Sequence, residues 1–292
     1  MAQLPGQIDP NVPSVARMYD YYLGGKDNFP ADREAAEQVI ELARQTGSDI
    51  REVALANRGF LIRSVRHLAQ SGIRQFLDIG TGLPTQDNVH QVAQRVAADS
   101  KIVYVDNDPI VLAHARALLA DNAETIIVQG DLAEPDAILA AAEEHLDFSR
   151  PVAVVVAAVF HFFHDDDQVA KIVAALRQPL VSGSYLVVSH GYIEPGESEA
   201  SKVDGVRGVY QRSTSGGLAW RGREDLLALF EGLEILPPGV VPSPEVAQQR
   251  RPVPVAWPGQ GRRARRRRPR PLDRRGRVVL DVVAGLLGAL GA

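Results

Sequence analysis

Residues 73–85 read Ile-Arg-Gln-Phe-Leu-Asp-Ile-Gly-Thr-Gly-Leu-Pro-Thr, and this stretch decides the fold. Its apolar first half predicts a β-strand, Gly80-Thr81-Gly82 predicts a tight turn, and a helical pattern follows. Glycine lets the backbone bend sharply and approach a ligand that a Cβ atom would push away. A carboxylate at Asp78 opposes a pyrophosphate but suits a ligand that carries an ammonium or sulfonium charge. The sequence therefore predicts a ligand site at a strand–turn–helix corner.

The composition is typical of a globular protein without disulfides. Of the 292 residues, 45% are hydrophobic and 23% are charged, which is enough apolar material for a full core. Cysteine is absent, which excludes disulfides, thiolate zinc sites and cysteine-ligated iron–sulfur clusters. The first residues lack the basic and apolar segments of a secretory signal peptide, so we expect a cytoplasmic protein.

Strand and helix patterns alternate from residue 73 onward. The predicted strands cover 73–79, 101–106, 125–129, 151–159 and 184–189, with helices at about 85–97, 109–120, 135–145 and 167–178 between them. Asp108 is placed as a helix N-cap and Pro109 as the first helical residue. This alternation predicts an α/β fold with a doubly wound, mostly parallel sheet and helices on both faces. Two further helices, at 31–45 and 49–70, precede the sheet and form an N-terminal helical cap.

The notable polar residues follow the predicted strands. Asp78, Gly80 and Gly82 end the first strand, Asp106 the second, Asp131 the third, His161 the fourth and His190 the fifth. Parallel strands of a doubly wound sheet end at one edge, and ligands bind there. The sequence therefore predicts that these residues share one site. By contrast, the helical spacing of Arg58, Arg63 and Arg66 favours a solvated face.

Asp106 indicates a nucleoside ligand. It closes the second strand 24 residues after Gly82, where a carboxylate can accept hydrogen bonds from both hydroxyls of a ribose. NAD domains and S-adenosylmethionine (SAM) domains share this device. The turn resembles motif I of the Rossmann-like SAM methyltransferases, acidic-x-Gly-x-Gly, in Asp78, Gly80 and Gly82, with Pro84 where many members have a third glycine. That missing glycine and the carboxylate of Asp78 favour SAM over NAD(P).

More narrowly, the chain resembles an actinomycete-type family of S-adenosyl methyltransferases from high-GC bacteria. The resemblance covers about residues 8–240 and is carried by residues 16–32, 57–65, 75–89, 103–119 and 183–190. It implies a Rossmann-like core, preceded by helices that help to cap the cofactor SAM, and it implies no particular substrate.

The resemblance also implies roles for individual residues. Asp78, Gly80 and Gly82 would line the methionine end of SAM, Asp106 with Asn107 beside it would hold the ribose, and Asp131 with Leu132 would contact the adenine. The N-terminal segment holds three of the seven tyrosines within four residues, followed by Gly-Gly-Lys-Asp-Asn. It is either an arm whose tyrosines fill a groove or a lid with aromatic faces toward a sulfonium. The lid candidates are Tyr19, Tyr22, Gly24, Lys26, Asp27 and Asn28.

Methyl transfer requires alignment and water exclusion more than acid–base chemistry, because the sulfonium already activates the methyl carbon. If the acceptor must lose a proton, His161 is the first candidate base and His190 the second, since imidazole titrates near neutrality. The alternative is that each histidine is a structural residue with backbone partners. His161 and His164, with the acids at 165–167, have poor spacing for a metal site, and the acids are typical of a helix N-terminus, so we expect no metal.

The composition changes twice toward the C-terminus. Residues 191–232 look like a substrate-side insertion in a core that spans 73–241, after an arm and cap at 1–72. Residues 242–292 form an atypical Pro/Arg-rich tail. Residues 250–292 hold 12 arginines and two acids, which leaves 20 basic and 34 acidic residues, a net charge of −14, in the rest. Three interpretations of the tail stay open: a disordered basic segment, a frameshifted terminus or an unrecognised folded element. Its apolar stretch, residues 278–292, is too short to span a membrane.

We therefore expect a SAM-dependent methyltransferase with a small-molecule acceptor. The acidic body does not suggest nucleic acid, which leaves the basic tail as the one candidate contact for it. Two alternatives are a non-catalytic SAM- or nucleoside-binding regulatory protein and an NAD(P)-dependent oxidoreductase. The acceptor atom and the oligomeric state stay open at this stage.

Overall fold

The computed structural model describes residues 8–45, 47–84, 87–119, 122–192, 200–236 and 277–284. The strands of the central sheet are β1 Gln75–Ile79, β2 Lys101–Asp106, β3 Thr125–Gln129, β4 Ala153–Ala157, β5 Tyr185–Tyr192, β6 Glu234–Ile235 and β7 Arg277–Ala284. The helices are α1 Val15–Tyr22, α2 Pro30–Arg44, α3 Ile50–Gln70, α4 Val89–Val96, α5 Pro109–Leu118, α6 Pro135–Glu143, α7 Asp166–Arg177, α8 Ala200–Gln211 and α9 Arg223–Leu229. A short 3₁₀ turn covers Phe160–Phe162.

The sheet has the strand order β3-β2-β1-β4-β5-β7-β6, and all the strand pairings are parallel. One apolar layer lies between the sheet and α6, α7 and α9, and a second lies between the sheet and α3, α4 and α5. The predicted α/β, doubly wound fold is therefore confirmed. The order reverses between β1 and β4, which makes the carboxyl ends of these strands the expected ligand edge.

The strand register explains why these strands are apolar throughout. Leu77 pairs with Val103 on one side and Val154 on the other, and all three are fully buried in the layer toward α6 and α7. Phe76 pairs with Ile102, and both are fully buried in the opposite layer toward α3 and α4. Because successive side chains alternate between the two faces, a strand covered on both sides needs an apolar residue at every position.

Local sequence rules fix several element ends. The Asp108 carboxylate accepts a hydrogen bond from the Ile110 amide at 2.8 Å, and Pro109 is the first residue of α5, as predicted. Asp165 likewise caps α7 by accepting from the Asp167 amide at 2.9 Å. Gly72 follows α3 with φ +100°, a left-handed conformation that glycine adopts at low cost.

The N-terminal helices and α8 form a third apolar cluster. A buried ion pair joins α1 to α2, because Arg17 donates to Asp32 at 2.7 Å. Asp32 is completely buried and also accepts from the amides of Ser14 and Phe29, at 2.8 and 2.7 Å. Ser14 in turn donates through its hydroxyl to Asp108 at 2.6 Å. The start of α1 is thus attached to the loop that follows β2.

The C-terminal part differs from expectation in its extent. The fifth strand runs on to Tyr192, and the predicted insertion contains the helices α8 and α9. Within the expected tail at 242–292, residues 277–284 form β7 between β5 and β6, so this part of the tail belongs to the sheet. The rest of the tail, with its frameshift hypothesis, lies outside the described residues. Among the described helices, none combines the length and the hydropathy that a membrane span requires.

Candidate active site

A cavity of about 740 Å³ opens at the carboxyl ends of β1, β2 and β4, at the point where the strand order reverses. Of the residues predicted for cofactor and catalysis, the following line it: Tyr19, Tyr22, Asp78, Gly80, Gly82, Asp106, Asn107, Asp131, Leu132 and His161. Helices α1 and α3 and the segment around Thr214 complete its walls. The sequence predicted site residues at five strand ends, and four of these ends contribute a predicted residue to the cavity lining. The exception is His190, at the predicted end of the fifth strand.

The glycine turn needs both of its glycines. Gly80 and Gly82 have φ values of +72° and +67°, in the left-handed region that side chains disfavour. The amide of Gly80 donates to the Val105 carbonyl at 2.8 Å, which holds the turn against β2. A Cβ atom on Gly80 would lie 2.4 Å from Cγ2 of Val159, whereas one on Gly82 would meet no atom within 4 Å. Gly82 therefore leaves open space at the cavity wall.

Asp106 connects β2 to the glycine turn. Its Oδ2 accepts from the Gly82 amide and its Oδ1 from the Asp108 amide, both at 2.9 Å. Burial raises the pKa of this carboxyl group, and the two backbone hydrogen bonds oppose that rise. Each carboxylate oxygen can accept more than one hydrogen bond, so both can still accept a hydrogen bond from a ligand in the cavity.

Asp78 is buried at the mouth of the turn with little compensation. Only 4% of the residue is exposed, and the Thr81 hydroxyl donates to it at a distance of 3.3 Å. Burial raises the pKa of Asp78 to about 7, while the positive charge of Arg58 opposes this rise. A cation bound beside Asp78 would favour the ionised form.

Arg58 is a cavity residue that the sequence reading assigned to a solvated helix face. Its Nη2 donates to Oδ1 of Asn88 at 3.1 Å and to the Asp87 carbonyl at 3.3 Å, so the side chain reaches from α3 to the start of α4. Its Nε is buried and has no hydrogen-bond partner within the described residues. Helical spacing alone could not reveal that this face of α3 turns toward the glycine loop.

Tyr19 and Tyr22 of α1 line the cavity, but the loop after this helix does not. Gly24, Lys26, Asp27 and Asn28 are absent from the described cavity lining. Instead, the Asp27 amide and the Asn28 side chain donate to Oδ2 of the buried Asp20, at 3.0 and 2.8 Å. The loop is folded back on α1 by this carboxylate. Among the predicted lid residues, Tyr19 and Tyr22 therefore line the cavity and the four loop residues do not.

Tyr19 belongs to a chain of polar groups that crosses the cavity wall. Asn57 donates to the Tyr19 hydroxyl at 2.8 Å, and the Ser189 hydroxyl donates to Oδ1 of Asn57 at 2.6 Å. The Ser189 oxygen accepts from the amide of Ala158 at 2.9 Å. Ala158 lies in the cavity lining with φ +58°, a strained conformation for a residue with a side chain. The sequence analysis missed the buried Asn57 and Ser189.

The two candidate bases differ in position. His190 is fully buried outside the described cavity lining, its Nδ1 bonded to the Gly191 carbonyl and its Nε2 accepting from Arg221 at 2.9 Å. Burial lowers the pKa of His190 to about 3. With both ring nitrogens engaged, it is placed as a structural residue, which corrects the expectation of a base.

His161 does line the cavity. The Gly191 amide donates to its Nδ1 at 3.2 Å, so the neutral ring carries its proton on Nε2. Burial lowers the pKa of His161 well below its usual range, and the nearby His190 and Arg221 act in the same direction. Within the described part of the chain there is no cluster of acids and histidines arranged to hold a metal ion.

Comparisons with known proteins agree with this geometry. Residues 1–263 match the model of a family described as S-adenosyl methyltransferase. A structure from Streptomyces avermitilis MA-4680, a DUF574 family protein, is 43% identical with a TM-score of 0.73, over 81% of this chain and 89% of that one. A structure from Thermobifida fusca YX, provisionally described as a methyltransferase, is 38% identical with a TM-score of 0.70, over 78% and 84%. No curated protein matches the chain.

The chain belongs to the S-adenosyl methyltransferase family, because the family model covers most of its length. It is a Rossmann-like, SAM-dependent methyltransferase. SAM is accordingly the ligand against which the cavity is to be tested.

Proposed function

We propose that the protein transfers the methyl group of SAM to a small-molecule acceptor bound in the same cavity. The observation that carries this proposal is the pairing of opposite charges beside the glycine turn. Asp78 and Arg58 both line the cavity, and the protein does not fully compensate the charge of either side chain. Burial raises the pKa of Asp78, and Nε of Arg58 has no hydrogen-bond partner within the described residues. A zwitterionic amino-acid group such as the methionine end of SAM would complement both charges.

We assign the remaining contacts to the groups nearest the turn. Asp106 would accept from the ribose hydroxyls with the lone pairs that its two backbone bonds leave free. Asn107 and Leu132 would flank the nucleoside, and Asp131, whose Oδ1 already accepts from the Ala133 amide at 2.9 Å, would accept from the adenine amino group. The open space at Gly82 and the unpartnered Nε of Arg58 support the fit of SAM to these residues.

Tyr19 and Tyr22 support recognition of the sulfonium, since aromatic rings attract cations. Burial raises the pKa of both hydroxyls, and both rings therefore stay neutral. The loop of Gly24, Lys26, Asp27 and Asn28 would act indirectly, by supporting α1.

SAM supplies an electrophilic methyl group, whose bonding electron pair goes to sulfur as a lone pair of the acceptor forms the new bond to carbon. The acceptor's proton, where it has one to lose, leaves for solvent or for a base. We propose that His161 orients the acceptor as a hydrogen-bond donor through Nε2, because its Nδ1 is already occupied by the Gly191 amide.

The net charge of the chain outside its basic C-terminal segment supports a small acceptor over a nucleic acid. A cytoplasmic location remains part of the proposal and is supported by the absence of cysteine.

The test is calorimetric titration with SAM, S-adenosylhomocysteine and NAD. Asp106→Asn is the informative variant, because an amide must present its NH₂ group to one of the two backbone N–H donors at Gly82 and Asp108. Asp99→Asn is the matched control, since this carboxylate is 80% exposed and pairs with Arg74 at 3.6 Å. We expect SAM binding by the native protein and by the control variant, with a loss of about 10-fold or more in Asp106→Asn. Preference for NAD, or equal SAM affinity in all three proteins, would contradict the proposal.

A further inference from the structure

One end of the cavity is built from aromatic rings, here called the aromatic wall and consisting of Tyr22, His161, Phe162, Tyr210 and Trp220. Contacts join its members into one surface. The Tyr22 and Tyr210 hydroxyls lie 3.3 Å apart, and the ring centroids of Phe162 and Tyr210 are 6.0 Å apart. The rings of His161 and Phe162 meet edge to face at 4.4 Å. Trp220 and His161 both border Gly191, within 3.6 Å of the position that a Cβ atom would occupy there.

All members of the aromatic wall are neutral near physiological pH. Burial raises the pKa of the Tyr22 and Tyr210 hydroxyls above their usual values, and it lowers the pKa of His161. Phe162 and Trp220 do not ionise. The charged side chains assigned to SAM, Asp78 and Arg58, lie instead beside the glycine turn. The aromatic wall therefore adds no charge to the cavity lining, to which Asp78 and Arg58 do add charges.

The aromatic wall offers a directed polar group. Nε2 of His161 carries the ring proton, because the Gly191 amide donates to Nδ1 at 3.2 Å. A hydrogen bond from this N–H requires an oxygen or nitrogen lone pair on the ligand.

A roof restricts the size of the ligand at this end. The Thr214 amide donates to the Pro13 carbonyl at 2.9 Å, and the Thr214 hydroxyl accepts from the Val15 amide at 3.4 Å. The segment before α1 is therefore joined to the loop after α8 across the cavity. A roof of this kind favours a small molecule over a polymer that would have to pass through the site.

We infer that the methyl acceptor is an uncharged aromatic small molecule that bears an oxygen atom, stacked on the aromatic wall with that oxygen toward Nε2 of His161. This inference rests on the proposed function and names the substrate class of its site. An anionic acceptor would lose its hydration against ring faces that repel it, and a cationic acceptor would lie beside the positive sulfonium of SAM. A saturated acceptor would forgo the ring–ring geometry that Phe162, Tyr210 and Trp220 offer.

The experiment uses one ring frame and varies one property at a time. The full-length protein, with and without saturating S-adenosylhomocysteine, is titrated calorimetrically with 2-naphthol, decahydro-2-naphthol, 6-hydroxy-2-naphthoate and 6-hydroxy-2-naphthylmethylammonium. We expect 2-naphthol to bind at least about 10-fold more tightly than the saturated, anionic and cationic analogues. The saturated analogue loses a ring-stacking contact, and the charged analogues incur a desolvation penalty. His161→Phe, which keeps a ring and removes the donor, is expected to weaken 2-naphthol binding about 2- to 10-fold.

The outcomes separate this inference from the function on which it rests. S-adenosylhomocysteine binding together with equal affinity for all four probes would overturn the acceptor class alone, as would tighter binding of either charged probe. Selective 2-naphthol binding without any S-adenosylhomocysteine binding would support the acceptor class and overturn the proposed function. If His161→Phe is unstable, the four-probe comparison on the native protein still decides the matter, because it requires no substitution.

Discussion

Gly80→Ala is the substitution whose cost the structure defines best. An alanine there must adopt φ +72°, which costs about 1–2 kcal/mol for a residue with a Cβ atom. The new Cβ would also lie 2.4 Å from Cγ2 of Val159, a stiff β-branched side chain, and overpacking of this kind costs about 1–3 kcal/mol. We therefore expect Gly80→Ala to lower the free energy of unfolding by about 2–5 kcal/mol.

Gly82→Ala is the matched control for this prediction. Its φ of +67° brings the same backbone cost, but its Cβ would meet no atom within 4 Å. Urea denaturation followed by far-ultraviolet circular dichroism measures both variants. The loss for Gly82→Ala should be smaller by about 1–3 kcal/mol, the overpacking contribution.

A double-mutant cycle tests the contact itself. Val159→Ala removes the Cγ atoms that the new Cβ would strike, so it should recover about 1–3 kcal/mol when combined with Gly80→Ala. Equal losses for the two glycine variants, with no coupling between positions 80 and 159, would refute the reasoning from close approach and leave backbone strain as the whole effect.

Three further predictions concern the charged and polar groups of the cavity. Asp78 holds its proton more tightly in the folded than in the unfolded protein, so the free energy of unfolding should fall by up to about 4 kcal/mol as pH rises from about 4 to 7. Urea midpoints measured over this pH range for Asp78→Asn should lack this decline. The same pH profile in the variant and in the native protein would count against the buried carboxyl group. Arg58→Gln should weaken SAM binding by about 10- to 100-fold in calorimetry, whereas the exposed Arg66→Gln should leave it unaltered; equal effects would show that only overall charge matters. Asn57→Leu should cost about 2–5 kcal/mol in urea denaturation because it removes the acceptor of the buried Ser189 hydroxyl and one donor to the Tyr19 hydroxyl, whereas Ser189→Ala, which removes one partner only, should cost less; a reversed order would contradict the polar chain.

The sequence predicted most of the fold because its information there is local. Strand periodicity, the glycine turn and the cap at Asp108 each depend on residues within a few positions of one another. The parallel arrangement of the strands followed from the alternation of elements, since parallel strands require crossover helices. The predicted residues at the carboxyl ends of β1 and β2 line one cavity because parallel strands end at the same edge of the sheet.

The remaining part of the site depends on contacts between distant residues. Arg58 reaches the cavity because α3 lies against α4. The residues that accept its hydrogen bonds, Asp87 and Asn88, come 29 and 30 positions later in the sequence. His190 is engaged by Arg221, 31 positions later, and no spacing rule in either segment indicates this bond. The loop of Lys26, Asp27 and Asn28 has the composition of a ligand contact, but Asp20 takes up its donors.

The polar chain from Tyr19 through Asn57 and Ser189 to Ala158 has a consequence for folding cooperativity. It joins the N-terminal helix to β5 and to the residue that follows β4, and all of its links are buried or half-buried. Opening α1 alone would leave the amide of Asn57 without its tyrosine partner, which is costly in a buried position. The boundary drawn near residue 72 from composition should therefore not separate two independent folding units, and native-state hydrogen exchange should show α1 and the amide of Ala158 becoming exposed in one common transition.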